Sequence, residues 1–449
     1  MLNHAALFPR NFRKHYPIAA SGEGCWITAV DGRKYLDAAG QAAVVNIGYG
    51  VASIGRAMAE QASQLAFAHS SQFHTTSAEK LAARLLALAP EVMRRGGRVY
   101  FCSGGSEANE TAIKLPRQYF LERGQSERFR VVSRRQSYHG STLGAMAMSG
   151  NMARREPYQP LLPEWGHIDP CFCRHCPLGL QFPECKLACA EELEALLRDD
   201  RGKSVAAFIF EPVVGATLGA AVPPDGYVQR TAEICRQHDV LLIADEVMTG
   251  MGRTGKPFAV DHWNVAPDMI TFGKGAASGY APLGGVIVGP RVVEAFEHGL
   301  GSFQHGFTYQ NHPVSMAAGN AVLDVLEEQR LFARVPEASR ALFAALEPLK
   351  QHRHVGDVRG LGLLAGIEFV KDKATRTPFP REENIAGKIF QAAMDEGVLT
   401  YPTQGCVDGK NGDHVLLAPP FIISSEECHI TARAITVAME RVFVPEERF

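Results

Sequence analysis

Residues 240–275 read VLLIADEVMTGMGRTGKPFAVDHWNVAPDMITFGKG, and this stretch decides the architecture. Val240-Leu241-Leu242-Ile243-Ala244 is an apolar, partly β-branched run that predicts a buried strand. It ends on Asp245-Glu246-Val247, which puts carboxylates at the carboxyl end of a strand, where open α/β sheets keep their ligands. A second strand is predicted over Met269-Ile270-Thr271-Phe272, and it stops at Gly273-Lys274-Gly275. The flanking glycines leave the lysine little side-chain crowding. Two readings fit these residues: a solvated lysine beside a turn-forming acid, or an acid and an amine held at neighbouring strand ends for chemistry.

Outward from this stretch, apolar strands alternate with helices. A strand at residues 98–102 runs into Ser103-Gly104-Gly105-Ser106 and a helix over 108–122. Strands follow at 129–133 and at 205–210, the latter closed by Glu211-Pro212, and then a helix at 226–238. The alternation predicts an α/β fold with a mainly parallel sheet and helices on both faces. Upstream, residues 26–30 and 34–36 read as a hairpin around Asp31-Gly32. Thr76 with Glu79 reads as a capping box opening a helix over 77–89. Beyond His312 the pattern turns to helices at 313–329 and 336–351, a strand region at 357–370 and a last helix at 426–442. This predicts a large domain over 61–317 and a smaller α+β domain over 318–449, to which an N-terminal segment, 1–60, contributes.

The composition narrows the function. Of 449 residues, 46% are hydrophobic and 21% charged, with a net charge of −2. Those values are ordinary for a globular protein and give no basic face for nucleic acid. The first twenty residues lack an apolar h-region, and no apolar run reaches membrane-span length. A soluble, cytoplasmic protein is expected.

Ser103-Gly104-Gly105-Ser106 sits at a strand-to-helix turn, where free backbone N–H groups favour an anion such as phosphate. Tyr138-His139-Gly140 follows another strand and brings an aromatic ring to the same edge. Taken singly, these are an ordinary βα turn and an ordinary loop tyrosine. Together with Asp245 and Lys274 they meet the needs of pyridoxal phosphate. An amine condenses with its aldehyde, and an acid keeps its ring nitrogen protonated.

Six segments then carry a resemblance: SGGSEANETAI (103–113), Tyr138-His139-Gly140, Glu211-Pro212, LIADEVMTGMGRTG (242–255), TFGKGAASGYAPLGG (271–285) and GFTYQNHP (306–313). In this order the chain resembles the class III aminotransferases, fold type I pyridoxal-phosphate enzymes that include the ω-amino acid:pyruvate transaminases. The resemblance implies transamination of an ω-amine or ω-amino acid with a keto-acid acceptor through a Lys274 Schiff base. It implies that Asp245 pairs with the pyridine nitrogen, Val247 packs under the ring, and Tyr138, with His139 beside it, lies over it. Glu211 falls near the ring hydroxyl, and Gly104, Gly105 and Ser106 fall at the phosphate. Thr308 would reach the phosphate of a partner subunit, which implies a homodimer with shared active sites. A lyase, aminomutase or decarboxylase on the same scaffold is the alternative chemistry. A non-catalytic regulatory protein fits an intact Lys274 and Asp245 poorly. A dinucleotide-binding dehydrogenase would need a G-x-G-x-x-G after the first strand, which is missing.

The chain departs from the family pattern in two places. Where the ornithine and γ-aminobutyrate branch carries an arginine three residues before its Pro-Pro pair, here Pro419-Pro420, this chain has Leu416. No arginine occurs over 399–421. Where ω-transaminases carry a pocket tryptophan, this chain has Gly40-Gln41-Ala42-Ala43. A wider pocket less committed to a carboxylate is expected, with Lys410, Arg10 or Arg13 as the candidate cations from elsewhere. Separately, Cys173-x2-Cys176 and Cys185-x3-Cys189, with Cys171 and His175 close by, have ligand-like spacing. A zinc site, a disulfide and reduced buried thiols all fit that cluster, and no residue is assigned as a metal ligand.

Overall fold

The computed structural model describes residues 6–443. Near the N-terminus, β1 (Ala19–Glu23), β2 (Trp26–Ala29) and β3 (Lys34–Asp37) form an antiparallel meander. The β2–β3 turn passes through Gly32 at φ +83°, so Asp31-Gly32 makes the expected hairpin. The central sheet collects β4 (Arg98–Cys102), β5 (Arg130–Arg134), β6 (His167–Ile168), β7 (Val205–Phe210), β8 (Leu241–Asp245), β9 (Met269–Phe272) and β10 (Gly284–Val288). Their order is β4-β10-β9-β8-β7-β5-β6. Only β10 runs against its neighbours. Every residue of β7, β8 and β9 is buried, as a parallel sheet covered on both faces requires of its apolar runs.

The C-terminal part adds β11 (Val355–Gly360), β12 (Ala365–Phe369), β13 (Val398–Leu399), β14 (Tyr401–Gln404) and β15 (Asp413–Leu417). Four of these make an antiparallel sheet, β11-β12-β15-β14, while β13 joins the N-terminal meander by pairing parallel to β3. The two ends of the chain therefore share a sheet. No helix among the described residues is long and apolar enough to cross a membrane.

Two helix starts differ from expectation. Thr75, not Thr76, caps the helix Thr76–Leu88, its side chain accepting from the Ala78 N–H. Glu79 turns instead to His74, 2.7 Å away. The helix expected from Pro336 begins at Leu331 and ends at Leu346. Leu331 and Val335 are buried, so packing outweighs the single backbone bond that an interior proline forfeits.

One local feature carries no sequence signal. Gly40, Gln41, Ala42 and Ala43 all have positive φ, between +48° and +64°, and close one turn of left-handed helix. Each L-residue there costs about 1–2 kcal/mol. The turn is held by its surroundings: the Ala418 N–H donates to Ala38 O at 2.9 Å, and a Cβ on Gly40 would collide with the Ala418 carbonyl.

Candidate active site

Parallel pairing places Asp245 of β8 opposite Thr271 of β9. The acid and Lys274, three residues past Thr271, thus leave the sheet at one edge. The helix Gly105–Glu122 starts at that edge, and an open pocket of about 640 Å³ lies over it. Its lining includes Gly105, Ser106, Tyr138, His139, Glu211, Asp245, Val247 and Lys274. Gly104 is the N-cap just outside that lining.

Asp245 is 5% exposed, and its carboxylate is held from three sides. Oδ2 accepts from Asn109 Nδ2 at 2.9 Å and lies 2.7 Å from His139 Nδ1; Oδ1 accepts from the Val247 N–H at 3.1 Å. An ionised carboxylate only accepts, so His139 carries its proton on Nδ1. Three donors leave one of roughly four acceptor positions free. Glu211 is equally closed off, Oε1 accepting from the Tyr138 N–H at 3.0 Å and Oε2 from the Gly215 N–H at 3.2 Å. Burial raises its pKa, with Asp245 adding to the rise, against the lowering pull of His139, the Tyr138 N–H and Arg134.

Lys274 has φ +41°, an unusual backbone for a residue with a Cβ. Burial lowers its pKa to about 8, with Asp245 and Glu211 pulling the other way and Arg253 and Arg154 adding to the fall. A desolvated amine of this kind supplies the neutral nucleophile at near-neutral pH. Val247 packs where only glycine fits: a Cβ on Gly105 would stand 2.7 Å from Val247 Cγ1. Ser106 Oγ accepts from the Ser141 N–H at 3.1 Å. The Tyr138 ring lies beneath the Arg154 guanidinium, 4.7 Å from its centroid.

Of the expected site residues, Thr308 alone stands apart; it is exposed and does not line this chain's own pocket. Arg10, Arg13 and Lys410 do not line it either. Asn109, Val213, Met248 and Arg154 were not foreseen. Asn109 sits one helical turn past Gly105, a spacing from which it could have been found. Val213 and Met248 line the pocket and belong, with Ala43 and Leu416, to one apolar cluster. The cysteine cluster lies outside the pocket. All ten thiols are free, Cys171 accepting from Arg134 at 3.0 Å, and no group of three or more ligating side chains among the described residues is arranged for a metal ion.

A central sheet with a buried acid and a desolvated lysine at adjacent strand ends, beside a glycine turn that opens a helix, defines a fold type I pyridoxal-phosphate transferase. The pocket fits that cofactor through the free acceptor position on Asp245, the desolvated Lys274 amine and the close-packed Gly105–Val247 floor. The model of the class-III aminotransferase family matches residues 8–439, and the chain belongs to that family. It is 38% identical to the uncharacterized aminotransferase YodT of Bacillus subtilis, covering 92% of each chain. It is 36% identical to an (S)-enantioselective omega-transaminase from Thermomicrobium roseum, with a TM-score of 0.91 over 98% of this chain and 97% of that one. An amine transaminase from an uncultivated Pseudomonas species, solved in its PLP-bound form, is 34% identical with a TM-score of 0.88, covering 98% of each chain. The chain is thus a pyridoxal-phosphate-dependent aminotransferase.

Proposed function

We propose that the enzyme transaminates an ω-amine or ω-amino acid, with a keto acid as acceptor. The observation that carries this reading is the apolar cluster of Ala43, Val213 and Leu416, with Met248 packed against it beside the pocket. Of these, Val213 and Met248 line the pocket, with Ala43 and Leu416 packed behind them, and a substrate carboxylate set against that apolar side would lose its hydration without a partner, at a cost of several kcal/mol. Amines whose charge, if any, lies far from the reacting carbon avoid the cost.

In this reading Lys274 carries the cofactor covalently through Nζ and later moves the proton at the substrate carbon. Asp245, oriented by His139 and Asn109, occupies its free acceptor position with the ring N–H. Val247 and Tyr138 hold the ring, Glu211 takes its hydroxyl side, and Gly104, Gly105 and Ser106 take the phosphate. The cofactor supplies an electron-accepting ring conjugated to the substrate carbon. Thr308 reaches the phosphate of the second copy in a homodimer, and the chain works in the cytoplasm as a large domain over 61–317 with a smaller domain built from 1–60 and 318–449.

The test is a half-reaction screen following the cofactor's visible absorbance with glutamate, a diamine and a long ω-amino acid. The diamine or the ω-amino acid should react fastest. Fastest reaction with glutamate would overturn the reading.

A further inference from the structure

A second open hollow, of about 1110 Å³, shares no lining residue with the cofactor pocket. Arg155 lines it and is only 6% exposed. Nη1 of this arginine donates to Ala147 O at 2.8 Å and Ser149 O at 2.7 Å. Its Nε is buried without an acceptor, and its Nη2 makes no hydrogen bond among the described residues. Glu164, the acid whose charge pulls on it, is exposed and forms no ion pair with it, so burial prevails and lowers its pKa. The other charged groups of the lining are already matched. Arg135 pairs with Asp169, and His175 Nε2 lies 2.7 Å from Glu368 Oε1. Asp408 is exposed and accepts from the Lys410 and Asn411 N–H groups at 2.8 and 2.6 Å. His167, 3.1 Å from Arg155 Nη1, is held neutral, its pKa lowered to about 4 by burial and by that arginine. Among the described residues of this lining, Arg155 is left as the charge that is both buried and uncompensated.

We propose that this hollow is a second ligand site, which takes a small oxyanion, phosphate or carboxylate, on the unused edge of Arg155. Nε and Nη2 form one side of the planar guanidinium, the two-donor fork that matches carboxylate and phosphate oxygens. An anion seated there supplies the counter-charge that the chain withholds, and it meets donors that otherwise stay unpaired in a buried place. The hollow is large enough for a small organic acid as well as for inorganic phosphate. The site also stands close behind the cofactor's acid. Ser149, whose carbonyl Arg155 holds, accepts through Oγ from the His139 N–H at 2.8 Å, and His139 is the donor beside Asp245. An occupant thus braces the segment that orients the acid without entering the cofactor pocket.

The experiment is a calorimetric titration of the cofactor-loaded enzyme, so that added anion does not compete for the glycine turn. Inorganic phosphate and succinate are titrated separately, with chloride at equal ionic strength as the control. The wild-type enzyme should bind at least one of the two saturably, and the one that binds more tightly names the source of the oxyanion. Arg155→Gln should raise the dissociation constant about tenfold to a hundredfold. Arg155→Lys, which keeps the charge but not the fork, should lose less. Because Arg155 also holds two carbonyls, its variants can fail to fold, and Met152→Glu supplies an independent arm. Met152 is exposed, lines the same hollow and opens the short helix that Arg155 ends, so this change sets a fixed carboxylate three residues from the guanidinium. It should abolish anion binding with the fold unchanged by circular dichroism. No saturable binding of either anion to the wild-type enzyme would overturn the proposal. Undiminished affinity in Met152→Glu or in a folded Arg155→Gln would overturn it too, by placing the bound anion elsewhere.

Discussion

His139 Nδ1 lies 2.7 Å from Asp245 Oδ2, with the imidazole 0% and the carboxylate 5% exposed. Asn109 adds a second donor to the same oxygen. A buried carboxylate tolerates such a site only when its oxygens are satisfied, so the pair fixes both the charge and the direction of the acid. On the proposed reading this acid meets the ring nitrogen of the cofactor. Asp245→Asn should therefore keep cofactor binding but lower kcat by at least about a hundredfold. His139→Phe should cost about 1–3 kcal/mol of stability by removing a donor. It should also shift the cofactor's visible absorption, while His139→Asn, which can donate, restores that absorption. Normal turnover in Asp245→Asn would remove the residue from the reaction.

Lys274 sets the pH dependence of cofactor loading. Burial brings it to about 8 from 10.5, so the folded apo-protein loses this proton before the unfolded chain does. The unfolded chain binds more protons across that interval, so this lysine's contribution to apo-protein stability rises with pH from about 8 to about 10.5. Its nucleophilic form also grows toward pH 8. Reconstitution of the apo-protein should speed up about tenfold per pH unit below about 8 and level off above. Lys274→Ala should take up pyridoxal phosphate without a borohydride-trapped adduct by mass spectrometry.

Glu246, next to Asp245, titrates in the opposite sense to Lys274. It is buried, accepts from the Val260 N–H at 2.8 Å and from the Thr249 hydroxyl, and burial raises its pKa to about 7 from 4.5. The folded state now binds the extra proton, so this group's contribution falls as pH rises from about 4.5 to about 7. Glu246→Gln should raise the melting temperature by a few degrees at pH 8 and leave it unchanged at pH 4.5. Melting curves at the two values check this, and a lower melting temperature at pH 8 would show that the carboxylate's hydrogen bonds outweigh its burial.

Thr308 tests the shared active site. A hydroxyl reaching the second copy's phosphate forms one hydrogen bond to a charged group, worth about 1.5–3 kcal/mol. Thr308→Ala should raise the cofactor's dissociation constant about tenfold to a hundredfold with the fold unchanged by circular dichroism. Sedimentation should give a dimer for both proteins; a fully active monomer would refute the shared site.

Asp245 and Lys274 were legible in the sequence because each follows an apolar run whose length and β-branching mark a strand, and strand ends locate a site. The glycine turn was legible because Ser103-Gly104-Gly105-Ser106 follows an apolar strand and opens a helix, whereas the close approach of Val247 to Gly105 was not. Val213 and Met248 were not legible as pocket lining, since an apolar pocket residue and an apolar core residue look alike in a sequence. Arg154 follows no strand signal and sits in an Arg154-Arg155 pair that reads as surface charge. The left-handed turn at Gln41, Ala42 and Ala43 is imposed by Ala418 and its neighbours, which no local propensity reports. Thr75 and Thr76 are adjacent candidates for one cap, and only the backbone geometry chooses between them.

Ala43 and Leu416 come from opposite ends of the chain, while Asp245 and Lys274 come from the sheet at its middle. Selection can therefore work on the two groups at different tempos. On the proposed reading, substitutions in the terminal segments would change the packing behind the pocket without disturbing the strands that align the acid and the lysine. A lineage built this way can change diet while its chemistry stands still. The limit is set by the mirror-handed turn: a Cβ on Gly40 would meet the Ala418 carbonyl, and Gln41, Ala42 and Ala43 already hold positive φ, so this turn tolerates change least.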